Sequence, residues 1–177
     1  MSTNVVFRAP WGRSLKITTT IVVGILIVIP IIGFLIKLPQ TLLLHKPAVG
    51  IIVLYCMILI PVTILFGAAL FMIRGYVITK DKLFIQRLGW NTIIDLNQLQ
   101  TVEINPDAIN KSTQTFGNGG LFSVTGKFQS EQLGSYIAYV TNPDLAVILK
   151  FTNKVIVVTP ENPNIFAEQI KSAMVTG

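Results

Sequence analysis

The sequence has one cysteine, Cys56, and one histidine, His45. A single cysteine excludes an internal disulfide, and the two residues together cannot supply a His/Cys metal cluster or a Cys–His nucleophile pair. Charge is scarce too: Asp, Glu, Lys and Arg make up 12% of the chain, about half of the roughly 25% usual in soluble domains. The acidic residues are Asp81, Asp95, Glu103, Asp107, Glu131, Asp144, Glu161 and Glu168. They fall mainly in predicted turns, strand ends or helix faces and form no signature of a paired acid and base. The expectation is therefore no catalytic residue, no metal ligand and no cofactor.

What the chain does have is aliphatic sequence. Charge is missing throughout 17–36 and again throughout 47–73. At about 1.5 Å per residue, each run can cross the roughly 30 Å hydrocarbon core of a bilayer. The reading is a transmembrane hairpin: an N-terminal tail 1–16, a first span 17–36, a short external loop 37–47, a second span 48–73 and a domain 74–177. The first run is too long for the apolar part of a cleavable signal peptide, and no small-x-small cleavage pattern follows it.

The net charge of +6 is informative mainly through its location. Of 14 basic residues, five (Arg8, Arg13, Lys16, Lys37 and Lys46) precede residue 74, leaving nine against all eight acids. A nearly balanced domain lacks the basic stripe that phosphate backbones require, so no nucleic-acid partner is expected. Arg8, Arg13, Lys16, Arg74, Lys80, Lys82 and Arg87 flank the spans on one side, against Lys37 and Lys46 on the other. The positive-inside rule then puts both termini in the cytoplasm.

Neither span contains an ionisable carboxylate, lysine or arginine, which argues against an ion or proton path. Pro30 and Pro61 read as tolerated transmembrane prolines that kink their helices. Gly24, Gly33, Gly67, Ala68 and Ala69 are small enough to permit close helix packing. Arg74 suits the C-terminus of the second helix, and Gly75 suits a left-handed cap just beyond it.

Beyond Arg74 the pattern changes to short apolar–polar alternations bounded by turns. Strands are expected at 76–80, 83–88, 92–96, 99–104, 121–129, 135–142, 146–152 and 154–160. Asn162 and Pro163 then open a helix whose apolar face carries Ile165, Phe166, Ile170, Ala173 and Met174. Seven or eight strands followed by a helix predict a small antiparallel barrel or sandwich. Trp11, Arg13, Lys16, Arg74, Arg87 and Trp90 are the candidate membrane-interface contacts, since Trp and Arg suit the headgroup level.

The segments "FGNGGLFSVTGKF", "LGSYIAYVTNPDLAVILKF" and "VTPENPNIFAEQI", with the opening "FRAPWGRSLKITT", resemble bacterial pleckstrin-homology (PH) domain proteins in which a PH-like domain follows a transmembrane hairpin. The resemblance covers nearly the whole chain and implies a PH-like fold and a bacterial cytoplasmic-membrane location. It implies no ligand. The phosphoinositide-binding pattern of eukaryotic PH domains needs an arginine where this chain has Phe84, after Lys80 and Lys82. The glycines at 117, 119, 120 and 126 do not make a phosphate-binding loop either. Their spacing is wrong and Phe128 stands where Ser or Thr is required, so they read as a tight turn.

Two functions remain. One is a non-enzymatic, membrane-anchored interaction module, an accessory or scaffold subunit or adaptor of a larger membrane complex. Its partners are the bilayer and another membrane protein, with no small-molecule substrate. The alternative is a module that senses or binds anionic lipid.

Overall fold

The computed structural model describes residues 5–35, 43–109 and 112–175. Part of the expected external loop, including Lys37, and the Met174 side chain lie outside the described residues.

Two long helices, α1 (Arg13–Leu35) and α2 (Pro47–Leu70), lie in the N-terminal part of the chain. Both are long and apolar enough to cross a membrane. Pro47 starts α2 at a position where its missing N–H costs nothing. Inside α2, the Thr63 hydroxyl donates to the Leu59 carbonyl one turn back at 2.7 Å, so this polar group is satisfied without a partner helix. Pro30 and Pro61 line one apolar groove between the helices, together with Met57 and Cys56.

Ten strands form two sheets among the described residues. β1 (Val5–Arg8), β2 (Ile73–Ile78), β3 (Lys82–Arg87) and β4 (Asn91–Asp95) lie side by side in that order. The second sheet contains β5 (Leu99–Ile104), β6 (Thr113–Gly119), β7 (Val124–Ser130), β8 (Gly134–Val140), β9 (Val147–Phe151) and β10 (Val155–Val158). Its order is β5-β9-β10-β8-β7-β6. The chain closes with α3 (Pro163–Val175). The architecture is a PH-like sandwich with a C-terminal helix, not a closed barrel.

The sandwich core lies between the sheets and α3. Phe7, Tyr76, Leu83, Ile85, Leu149, Ile156, Phe166 and Ile170 meet there, all buried. Phe166 meets Phe7 edge-on at 5.1 Å and Tyr76 at 6.0 Å. A second cluster, with Ala108, Phe128, Tyr136, Ile148 and Val157, covers the other face of the large sheet. Burial on both faces explains why β9 and β10 read as nearly unbroken apolar runs. The Tyr76 hydroxyl ties the sheets together: it donates to the Tyr139 carbonyl at 2.8 Å and accepts from the Thr159 N–H at 3.1 Å.

In the sheets and α3 the structure departs from the sequence reading at several points. β1 arises inside the N-terminal segment and pairs antiparallel with β2, Phe7 against Tyr76 and Arg8 against Gly75. Its alternation, with Phe7 buried between exposed Val6 and Arg8, is too short to stand out. β6 occupies the glycine cluster that reads as a turn: Gly117 and Gly126 face each other with positive φ, and a Cβ on Gly126 would collide with the Phe116 carbonyl. β8 and β10 pair in parallel, against an all-antiparallel expectation, because β10 fills the place between β8 and β9. Finally, Ile165 is exposed, so the buried face of α3 is Phe166, Ala167 and Ile170.

Candidate functional site

Only Phe71 and Met72 separate α2 from β2, and the carbonyls at and just beyond the helix end are taken up by the domain. Leu70 O accepts from Gly89 N at 3.1 Å, Phe71 O from the Ser123 hydroxyl at 3.0 Å, and Met72 O from Leu88 N at 3.2 Å. These bonds satisfy groups that a helix end leaves open. Gly75 does not serve as a left-handed cap. It lies within β2, beside a bulge, where a Cβ would stand 2.6 Å from the Phe7 carbonyl. Only a glycine lets β1 come this close.

The start of α1 is held as well. Gly12 N donates to Thr141 O at 2.9 Å, and the buried Thr19 hydroxyl accepts from Phe122 N at 3.2 Å. Phe122 has φ of 63° and stacks at a tilt on Trp11, 6.0 Å between centroids. A non-glycine residue in that conformation costs about 1–3 kcal/mol and persists only where its surroundings hold it. Here the clamp on α1 supplies that hold.

Arg87, at the end of β3, is the centre of the junction. Its guanidinium carbon lies 5.7, 5.3 and 5.2 Å from the ring centroids of Phe71, Trp90 and Tyr139. Phe71 and Trp90 meet each other edge-on at 4.8 Å. The Arg87 Nε is buried and has no hydrogen-bond partner. Burial pulls the Arg87 pKa down while Tyr139 opposes that shift; burial pushes the Tyr139 phenol up while Arg87 opposes it. The guanidinium nevertheless stays charged, since arginine is protonated at any physiological pH.

Two recesses share Arg87. One, of about 600 Å³, is mostly apolar and runs from Gly67 and Ala68 on α2 and Phe71 just beyond it to Phe116 on β6 and Tyr139 on β8. The other, of about 450 Å³, is more polar and brings together Arg8, Arg74, Gln86 and Asn91. No carboxylate lines either one.

Of the six expected interface residues, Arg74 and Arg87 both line the polar recess, and Trp90 lies under the Arg87 guanidinium. Trp11, Arg13 and Lys16 go elsewhere. Trp11 packs on Phe122, Arg13 lines a separate recess with Asn142 and Asp144, and Lys16 is exposed on α1. Among the five small residues, Gly33 faces Met57 across the helix pair so closely that a Cβ would collide with its methyl group. Gly24 and Gly67 have open space at the same position. Gly67 and Ala68 line the apolar recess, and Ala69 is half-buried. Lys80 and Lys82 are exposed at the opposite end of the β2–β3 hairpin.

Arg8 is the residue that sequence reasoning missed. It counts there as one more tail charge, and only the pairing of β1 with β2 carries it to Arg74. The "VVFR" alternation is the available signal. Among the described residues no group of three His, Cys, Asp or Glu side chains could hold a metal ion.

Residues 74–174 match the family described as Bacterial PH domain. Comparison with curated proteins and with solved structures gave no match.

Proposed function

Since the chain belongs to the bacterial PH-domain family, we propose that it is a membrane-anchored, non-enzymatic interaction module and an accessory or scaffold subunit of a larger membrane complex. Its helices cross the bacterial cytoplasmic membrane, with both termini on the cytoplasmic side.

One observation carries this reading: α1 and α2 leave almost all their apolar surface uncovered, yet their ends are built into the domain by direct hydrogen bonds. At about 1.5 Å per residue, helices of this length span the hydrocarbon core. A domain fixed to them in this way has little freedom to search the cytoplasm and is suited to a neighbour in the same membrane. Gly67 and Ala68, on a helix face that opens into the apolar recess, add a surface that a packed helix or loop could meet.

Purification of the full chain in gentle detergent, followed by mass spectrometry, tests the proposal. The expected result is a membrane protein recovered in near-stoichiometric amount and lost in harsher detergent. Recovery of the chain alone in every detergent overturns it. Labelling of His45→Cys in a Cys56→Ser background checks the topology separately: reaction from outside the cell is expected, and protection until the membrane is opened reverses the assigned orientation.

A further inference from the structure

We propose that the apolar recess at the end of α2 receives a helix of a neighbouring membrane protein, and that an aspartate or glutamate on that helix pairs with Arg87. The inference rests on the interaction-module reading above and names the surface and the chemistry of the partner.

Arg87 supplies the specificity. Its guanidinium lies among the rings of Phe71, Trp90 and Tyr139, and among the described residues no carboxylate pairs with it. Nor does a carboxylate line the recess, where Arg87 is the one cation. A charge held in apolar surroundings without a counter-charge is costly, and a carboxylate relieves that cost through two parallel N–H···O bonds to the guanidinium fork. The three rings hold the group in place beforehand, so little side-chain freedom is lost on pairing. Arginine, tryptophan and tyrosine set amid other aromatic side chains are also the residues that dominate the centres of protein interfaces.

Shape selects a helix. The floor of the recess is built from β6, β7 and β8, three neighbouring strands. With about 4.8 Å between strands it is about 10 Å wide, the diameter of a helix. Gly117 and Gly126 face each other there and leave the middle of the floor without side chains. One wall is the last turns of α2, where Gly67 has open space beside it and Ala68 adds a single methyl group. Residues this small let a second helix come close. The far rim is Phe116, which is 78% exposed, more than Phe34 or Phe66 on the membrane helices. β6 is an outer strand of its sheet, so the recess stays open on that side, whereas α3 packs against the opposite outer strand, β5.

The test places the photo-crosslinking residue p-benzoylphenylalanine at Phe116 of the full chain, in the cells that produce the protein naturally. The expected result is an adduct with one membrane protein, mapped to within roughly two helical turns of an aspartate or glutamate. R87Q should weaken that adduct by roughly tenfold or more, the cost of leaving one member of a buried charge pair alone. R87E should abolish it, and arginine in place of the partner's acid should restore it in R87E. K80Q/K82Q, at the far end of the β2–β3 hairpin, should leave it unchanged. An adduct that persists in R87Q, maps to a segment without an acid, or is not restored by the charge swap overturns the inference. So does an adduct with lipid alone or with a second copy of this chain. If R87Q melts well below wild type, asparagine or glutamine in place of the partner's acid carries the same test while leaving this chain intact. A chain that purifies alone in every detergent and gives no adduct overturns the interaction-module reading and this inference with it. A partner that co-purifies but does not cross-link at Phe116 overturns this inference alone.

Discussion

Phe166 is fully buried between Phe7, Tyr76 and the strands of both sheets, whereas Phe34 and Phe66 stand 55% and 67% exposed on α1 and α2. The same side chain thus does two different jobs. In the sandwich it stabilises the fold by leaving water, worth roughly 1.5–3 kcal/mol for complete burial. On the helices it adds little to internal packing and sets which medium the helices must occupy. Backbone hydrogen bonds form within each helix in any solvent, but the sandwich holds only when distant strands meet.

The sharpest way to break this comparison is to truncate both kinds of phenylalanine. Phe166→Ala should lower the thermal stability of the detergent-solubilised chain by about 3–5 kcal/mol, because it opens a cavity between Phe7 and Tyr76. Phe66→Ala should stay within about 0.5 kcal/mol in the same assay. Equal losses would mean that the helices carry folding energy after all.

A smaller effect is expected from Tyr76→Phe, which keeps the ring and removes the bonds to Tyr139 and Thr159. Leaving those buried groups unpaired should cost about 1–3 kcal/mol. The same residue has a pH signature. Burial pushes its phenol from 10.0 up to about 12, so the folded state holds the proton more tightly than the unfolded one. That contribution is complete below pH 10 and is lost as pH rises towards about 12. Denaturant titrations across this window should show the loss in wild type and a shallower slope in Tyr76→Phe.

Thr19→Val probes the boundary between the two regions. It removes the acceptor for Phe122 N while keeping the shape, and should cost about 1–2 kcal/mol. Hydrogen exchange should rise at 120–122 and leave the middle of α1 unchanged; uniform exchange across α1 would show that the clamp is not local.

The smallest effect separates two glycines of α1. Gly24→Ala meets open space, whereas Gly33→Ala must displace the Met57 methyl group. A difference of roughly 0.5–1 kcal/mol in favour of Gly24→Ala is expected, since the gain in helix propensity is common to both. A cross-link between α1 and α2 near Met57 should weaken only in Gly33→Ala.

The helices, most strands and α3 were legible because their signals are local. Charge-free length, period-two alternation and the Asn162–Pro163 opening each lie within one segment. β6 was hidden because "TQTFGNG" combines polar residues with glycines that suit a turn equally well. Its strand character comes from the close approach of Gly117 to Gly126, a contact with a second segment. Arg74, Arg87 and Trp90 were identifiable as residues suited to a membrane boundary, but their common site was not.

By itself, then, the sequence determined two spans' worth of uncharged apolar chain, a strand-rich domain of nearly balanced charge and the poverty of its metal and nucleophile inventory. These properties follow from composition and short periodicity. Tertiary structure alone decided that β1 would pair with β2, that β10 would lie parallel to β8, and that Arg8 would join Arg74 and Arg87 in one recess. Each of these joins parts of the chain far apart in sequence, and such pairings are chosen by which arrangement buries Phe7, Tyr76 and Phe166 together, a competition that no local window contains.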